Sequence, residues 1–271
     1  MPEIVSVGQG RGPLVLSMPH CGLALPPEVA PHLNETGIAL GDTDWWIDTL
    51  YAFADIFDPT IVRANYSRVV IDLNRDPSGA SLYPGQATTG LCPTETFDGE
   101  PIYRPGREPD KAEIARRVRV YFEPYHRALE RAVMAAVEAH GFCLLYDCHS
   151  IRSQVPRLFE GTLPVLNIGT NDGRSCAAAI RAAAETAARA SGFTRVLDGR
   201  FKGGWITRRY GMPDACVHAI QIEIAQSAYL GREAAPWMFD AAKARILQET
   251  LAVLIGALLD AARLHTSGGA T

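Results

Sequence analysis

The chain has 271 residues, 47% of them apolar and 21% charged, with a net charge of −4. That length buries a substantial core, that composition excludes a disordered chain, and so small a negative charge leaves no electrostatic footprint for nucleic acid or an anionic membrane. No apolar run approaches the roughly 18 residues of a membrane span, and the opening Met-Pro-Glu-Ile lacks a basic segment followed by an apolar one. A cytoplasmic protein built as one domain over residues 1–271 is expected. The 6 cysteines, at 21, 92, 143, 148, 176 and 216, show no C-x-x-C spacing, so reduced thiols fit better than a disulfide framework or a zinc ribbon.

Leu14 to Met18 is a short apolar run that leads into Pro19-His20-Cys21-Gly22. The flanking turn residues present the His20 imidazole at a strand end. Gly41-Asp42-Thr43-Asp44 opens an expected helix to about Phe57, capped by Asp42 or Thr43, with Asp44 and Asp48 on one face. Acid in a first turn suits the helix dipole, which accounts for Asp48 and leaves Asp44 open. Thr60 to Ala64 and Arg68 to Leu73 are strand-like, and the second run ends in Asp72-Leu73-Asn74-Arg75-Asp76-Pro77. Arg68 and Arg75 have the planar fork that holds a carboxylate or polarises a carbonyl, whereas Asp72 fits a structural ion pair.

Residues 77–109, rich in proline and glycine and without sustained periodicity, read as a lid or substrate loop. Apolar residues recur every three or four positions from Ile114 to Val137, which predicts a helix over 110–140 with a kink at Pro124. His126 and His140 have no evident partner. Phe142 to Ser150 reads as a buried strand running into Asp147, His149 and Ser150, and in open α/β sheets ligands collect beyond such strand ends. Leu163 to Ile168 predicts another strand, followed by a helix over about 174–190 capped by Asn171 or Asp172. Neither Gly-x-Gly-x-x-Gly nor Walker spacing is present. Residues 199–211 gather cations and glycines around aromatics and suit capture of a small acidic ligand. Cys216 to Ala225 is the last expected strand, in which Gln221 and Glu223 share a face. A glutamate between two isoleucines is costly to bury unless partnered, which makes Glu223 a functional candidate. A helix over about 236–264 and a flexible tail at 266–271 complete the chain.

Two histidines at strand ends, a nearby acid, arginines and a glutamate in an apolar setting suit metal-assisted hydrolysis. Histidine pairs with one carboxylate leave an open position on zinc, the default metal for such donors, although cobalt, manganese or iron accept them too. Glu223 then serves as general base, and Arg68 and Arg75 stabilise an oxyanion or grip a substrate carboxylate.

Six motifs in order carry a family resemblance: Pro19-His20-x-Gly22, Asp42-Thr43-Asp44-Trp45, Ser67-Arg68-x-x-x-Asp72-Leu73-Asn74-Arg75, Asp147-x-His149-Ser150, Phe201-Lys202-Gly203-Gly204-x-Ile206-Thr207-Arg208, and Gln221-x-Glu223 followed by Tyr229. Together they resemble the N-formylglutamate amidohydrolase family, related to the zinc carboxypeptidase-like and aspartoacylase-like hydrolases. The resemblance implies an α/β three-layer sandwich with a central mixed sheet. It also implies cleavage of N-formyl-L-glutamate to formate and L-glutamate, the end of a histidine-degradation route. By motif, His20 and His149 match the metal histidines and Glu223 the general base. Asn74 and Arg75 match a pair that holds the substrate α-carboxylate, and Arg68 a carbonyl-polarising arginine. Arg208 is the expected partner of the glutamate side chain. The relatives' His-x-x-Glu pattern is missing, because Leu23 stands three residues after His20, so Asp44 is the expected third ligand. A small acidic N-acyl amino acid is the implied partner. An amidase, deacylase or carboxypeptidase acting on another N-acyl amino acid, and a non-catalytic module that binds acidic amino acids, are the alternatives.

Overall fold

The structure, a computed structural model, describes residues 2–82 and 85–268. Its strands are β1 (Val5–Gly8), β2 (Leu14–Met18), β3 (Thr60–Ala64), β4 (Cys143–Ile151), β5 (Leu166–Gly169), β6 (Arg195–Leu197) and β7 (Val217–Ala225). They form one sheet in the order β1-β3-β2-β4-β7-β5-β6. Neighbours from β3 to β7 run parallel, whereas β1 is antiparallel to β3 and β5 is antiparallel to β7. The α-helices are α1 (Glu35–Ile38), α2 (Ile47–Leu50), α3 (Lys111–Arg117), α4 (Glu123–His140), α5 (Ala178–Ala190), α6 (Trp205–Tyr210) and α7 (Ala241–Gly268). Among the described residues, no helix is long and apolar enough to cross a membrane.

Every residue of β4 and β7 is buried, as expected of strands covered on both faces. On one face, Leu144, Tyr146, Ile220 and Ile222 pack with Ile180 of α5 and Leu247, Leu251 and Leu254 of α7. On the other, Cys143, Leu145, Val217 and Ala219 pack with Tyr125, Leu129 and Val133 of α4. Each such Leu or Ile contributes about 1.5–3 kcal/mol by leaving water. The result is the expected three-layer α/β sandwich around a mixed sheet. Side chains alternate along a strand, so the second face continues toward the carboxyl ends as Asp147, His149, Gln221 and Glu223. The apolar half of that face is core; the polar half is the site.

Several expected elements differ, each for a local reason. The helix expected from Asp44 to Phe57 is broken: Trp46 takes a left-handed φ of 60°, α2 begins only at Ile47, and Tyr51–Phe57 is 3-10. Neither Asp42 nor Thr43 caps it, and Asp44 lies outside it, with its N–H donating to His20 O at 3.1 Å. Asp48 turns to the surface near Arg63. Arg68–Leu73 is not a strand. Its β-branched residues are buried, but the Val70 N–H donates to Ser67 O in a turn and Val70 O accepts from the buried Arg117 at 2.9 Å. The backbone is satisfied without a ladder.

Helix α5 starts later than expected and is capped by neither Asn171 nor Asp172, which both take positive φ in the preceding turn. The expected 110–140 helix is capped by Asp110 and passes through a wide π turn at Val118–Phe122 just before Pro124. Helix α7 runs through Gly268, so residues 266–268 of the expected flexible tail are helical; 269–271 lie outside the described residues. In the stretch 77–109, Tyr83 and Pro84 also lie outside them, and the remainder carries no helix or strand.

His126, which the sequence leaves without a partner, has two: Nε2 lies 2.9 Å from Leu73 O and Nδ1 lies 3.1 Å from Tyr210 Oη. His140 Nε2 likewise meets Arg11 O at 2.7 Å. Burial pushes the His126 pKa down to about 4. A base whose folded pKa lies below its unfolded value of about 6.5 stabilises the fold fully above that value, and loses the contribution as pH falls toward 4. Urea unfolding at pH 7 and pH 5 should therefore show the stability advantage of the wild type over His126→Gln shrinking by about 1–2 kcal/mol at the lower pH. A pH-independent difference would rule out the buried neutral imidazole.

Candidate metal centre and active-site cavity

Parallel pairing of β4 with β7 sets His149 directly beside Glu223, and Asp147 beside Gln221. Pairing of β2 with β4 sets Ser17 beside Asp147, and the turn after β2 then delivers His20 to the same end of the sheet. The third contributor, Asp44, arrives on the irregular segment tied to His20 O. Ligand atoms of His20, Asp44 and His149 all lie within 4.8 Å of one another, and all three residues are buried.

The two imidazoles are held in matching ways. His20 Nε2 meets Asp72 Oδ1 at 2.8 Å and His149 Nε2 meets Asp147 Oδ2 at 2.9 Å. A carboxylate can only accept, so in each ring Nε2 carries a proton and Nδ1 is the atom turned toward Asp44. Those Nδ1 atoms lie 3.8 and 3.2 Å from Asp44 Oδ2. Among the described residues, His20 Nδ1 and Asp44 Oδ1 have no hydrogen-bond partner. Buried orphans of this kind are rare, and two inward imidazole nitrogens grouped with a carboxylate make a donor set suited to a cation. A divalent cation fits that donor set. The carboxylate–imidazole pairs are the outer support that metal-binding histidines commonly have.

The pKa shifts follow from the same contacts. Burial, aided by the neighbouring Arg68, lowers the His20 pKa, whereas for His149 burial is outweighed by the charge and hydrogen bond of Asp147 and by Asp44, which raise it. For Asp72 the cost of burial is outweighed by Arg75, His20 and Arg68, which hold its carboxyl well below the usual range. Glu223 goes the other way: burial pushes it up to about 7. A carboxyl with that pKa exchanges a proton readily at neutral pH.

These groups border a cavity that opens to solvent and whose wall includes His20, His149, Glu223, Arg68, Asn74 and Arg75. The sequence-selected residues thus converge, with one exception. Arg68 Nη2 donates to Asp72 Oδ2 at 2.6 Å, and its guanidinium stacks 4.7 Å from the Phe97 ring centre. Arg75 lies 3.6 Å from Asp72 and donates to Thr89 O. Asn74 Nδ2 sits 2.9 Å from His149 Nε2 and donates to Asp147, while its Oδ1 accepts from Ile206 N at 2.7 Å. The exception is Arg208, which lies on α6 with Nε donating to Gly203 O, away from the cavity wall. Arg200 is in the wall instead.

Comparison with known proteins gives a consistent answer. The sequence profile of the N-formylglutamate amidohydrolase family matches residues 12–230. The N-formylglutamate deformylase of Pseudomonas aeruginosa is 45% identical over 260 residues, 96% of this chain and 97% of that protein. The N-formylglutamate deformylase of Pseudomonas putida matches to the same extent. The crystal structure of an N-formylglutamate amidohydrolase from Ralstonia eutropha JMP134 superposes with a TM-score of 0.76 at 26% identity, over 93% of this chain and 96% of that one.

Some of the supporting residues leave no local signal in the sequence. Gln226 Nε2 donates to Thr43 O at 3.0 Å, and Tyr229 Oη donates to Trp45 O at 2.8 Å, so the carbonyls on both sides of Asp44 are held from the segment after β7. Tyr229 enters through the motif that follows Glu223, whereas the only hint of Gln226 is a polar residue directly after a buried strand. Ser17 is hidden inside an apolar run, yet its hydroxyl donates to Asp147 Oδ1 at 2.7 Å and contacts Tyr125 Oη. Gly204 shows how closely the parts fit: a Cβ there would come within 2.5 Å of the Asn74 side chain, whereas one on Gly41 would meet open space. Gly204→Ala should therefore lower unfolding stability by about 1–3 kcal/mol and Gly41→Ala by less than about 0.5, measured by urea denaturation. Equal effects of the two would contradict this close packing.

Proposed function

The chain belongs to the N-formylglutamate amidohydrolase family, and from that premise we propose that it hydrolyses N-formyl-L-glutamate to formate and L-glutamate, with a divalent metal, zinc by donor type, held by His20, Asp44 and His149. The observation that carries the proposal is the placement of Glu223, buried and adjacent in register to His149, at the wall of the cavity that receives the inward donors. A metal and a base within one cavity suit hydrolysis of an unactivated amide.

A divalent cation at this centre supplies positive charge that acidifies water and polarises a carbonyl. Glu223 takes the proton as water adds to the formyl carbon, and gives it to the departing amine as the C–N bond breaks. A pKa near 7 lets one carboxyl do both. Arg68, fixed by Asp72 and by Phe97, faces the reacting carbonyl and stabilises the developing oxyanion. Asn74 and Arg75 hold the α-carboxylate, with Arg75 supplying the charge and Asn74 tying that contact to His149 and α6. Asp72 and Asp147 keep the two imidazoles turned inward. The stretch 77–109, which contributes Thr89 and Phe97 to the wall, acts as the substrate loop of a single domain.

Purified protein should carry about one equivalent of metal and release formate from N-formyl-L-glutamate, and chelation should abolish that release. Asp44→Ala should lose the metal; retention of a full equivalent would remove Asp44 from the ligand set. Glu223→Gln should keep the metal and lose activity by about 10²–10⁴-fold. Undiminished formate release by Glu223→Gln would refute the base.

A further inference from the structure

N-formyl-L-glutamate carries two carboxylates, and the cationic wall around Arg68 and Arg75 accounts for only one of them. We infer that Arg200 is the residue that recognises the side-chain carboxylate, and so sets the preference for an acidic side chain; this rests on the deformylase reading above.

The cavity has two unlike walls. Arg75, Asn74 and Thr89 form a polar one, while Phe97, Ile151, Leu158 and Phe201 form an apolar one. That apolar wall is continuous with a separate small core built on Phe97, Ile151, Val155 and Leu163. The two methylenes of a glutamate side chain pack favourably along such a surface, and the carboxylate must then emerge at its end. Arg200 adjoins that wall. Its Nε donates to Leu158 O and its Nη2 to Ala87 O, each at 2.8 Å, and its guanidinium lies 5.3 Å from the centre of the Phe201 ring. Three contacts to wall and loop backbone thus fix the plane of the fork before substrate arrives, which lowers the ordering cost of a carboxylate contact. Arg75 and Arg68, by contrast, both border the buried carboxylate of Asp72. Arg208, suggested for this role by motif, is anchored on Gly203 O outside the wall. The bond to Ala87 also ties Arg200 to the substrate loop, so charge recognition and loop position are coupled at one side chain.

The test compares kcat/KM for N-formyl-L-glutamate and N-formyl-L-glutamine, which differ only in side-chain charge. In the wild type the first should be preferred. In Arg200→Met, kcat/KM for the glutamate compound should fall about 10²-fold or more while that for the glutamine compound changes less than about fivefold, so the preference collapses. Arg200→Gln, whose amide can still donate to the backbone carbonyls, should collapse it equally and guards against misfolding of the first variant. Arg208→Met should leave the preference intact. An equal loss on both substrates in the Arg200 variants, or an undiminished preference, would overturn the assignment to Arg200 while leaving the deformylase reading standing. Absence of turnover of N-formyl-L-glutamate by the wild-type chain would overturn that reading and this one with it.

Discussion

Three carboxylates, Asp44, Asp72 and Asp147, are at most 1% exposed in this protein, and the rest of the site is arranged around the cost of putting them there. Taking a carboxylate out of water is expensive unless cations or donors replace the lost hydration. Asp72 has Arg68, Arg75 and His20; Asp147 has Ser17, Asn74 and His149. Among the described residues Asp44 Oδ1 has no hydrogen-bond partner, with the Arg68 guanidinium 3.9 Å away, and Asp44 Oδ2 faces the Nδ1 atoms of both imidazoles. Two of the buried acids are hydrogen-bonded on both oxygens, and the third stands with two imidazole nitrogens as a donor group that suits a cation.

The same constraint explains why segments far apart in the chain meet at one point. Asp72 sits on a segment that is neither helix nor strand, because its neighbours' backbone groups are satisfied by Leu91 O, Ser67 O and the buried Arg117. Freed from a ladder, that segment can turn Arg68, Asn74 and Arg75 toward a single cavity, with Asp72 buried behind them. Asp44 is presented on a broken helix start for a related reason, since Gln226 and Tyr229 bind the carbonyls on either side of it. Irregular backbone is concentrated where the functional groups are, and the regular strands beneath supply the rigidity.

Much of this was legible in the chain. β4 and β7 are visible as apolar runs with polar residues set into their carboxyl-terminal halves, and their alternation alone predicts that Gln221 and Glu223 share a face. His20 and His149 were visible because turn residues or a polar cluster follow directly on a strand. The run Arg68–Leu73 was misleading because a β-branched sequence reports burial as much as pairing. The helix start at Asp44 was misleading because an acid before a periodic segment looks like a cap even when tertiary hydrogen bonds have taken the backbone elsewhere. Arg208 was selected by motif, whereas the cavity wall contains Arg200, eight positions earlier on the same cationic segment.

The sequence by itself determined the family, the α/β class and the identity of the groups with chemical potential, because these depend on local pattern: periodicity, turn residues, and a charged side chain in an apolar run. Tertiary structure alone decided which nitrogen of each histidine faces inward, which acid is left open, and which arginine reaches the cavity. Those depend on contacts between β2, β4, β7 and loops far apart in the chain, 75 residues for Asn74 with His149 and 130 for Ser17 with Asp147, and on the requirement that buried polar groups find partners. No local pattern encodes that sum.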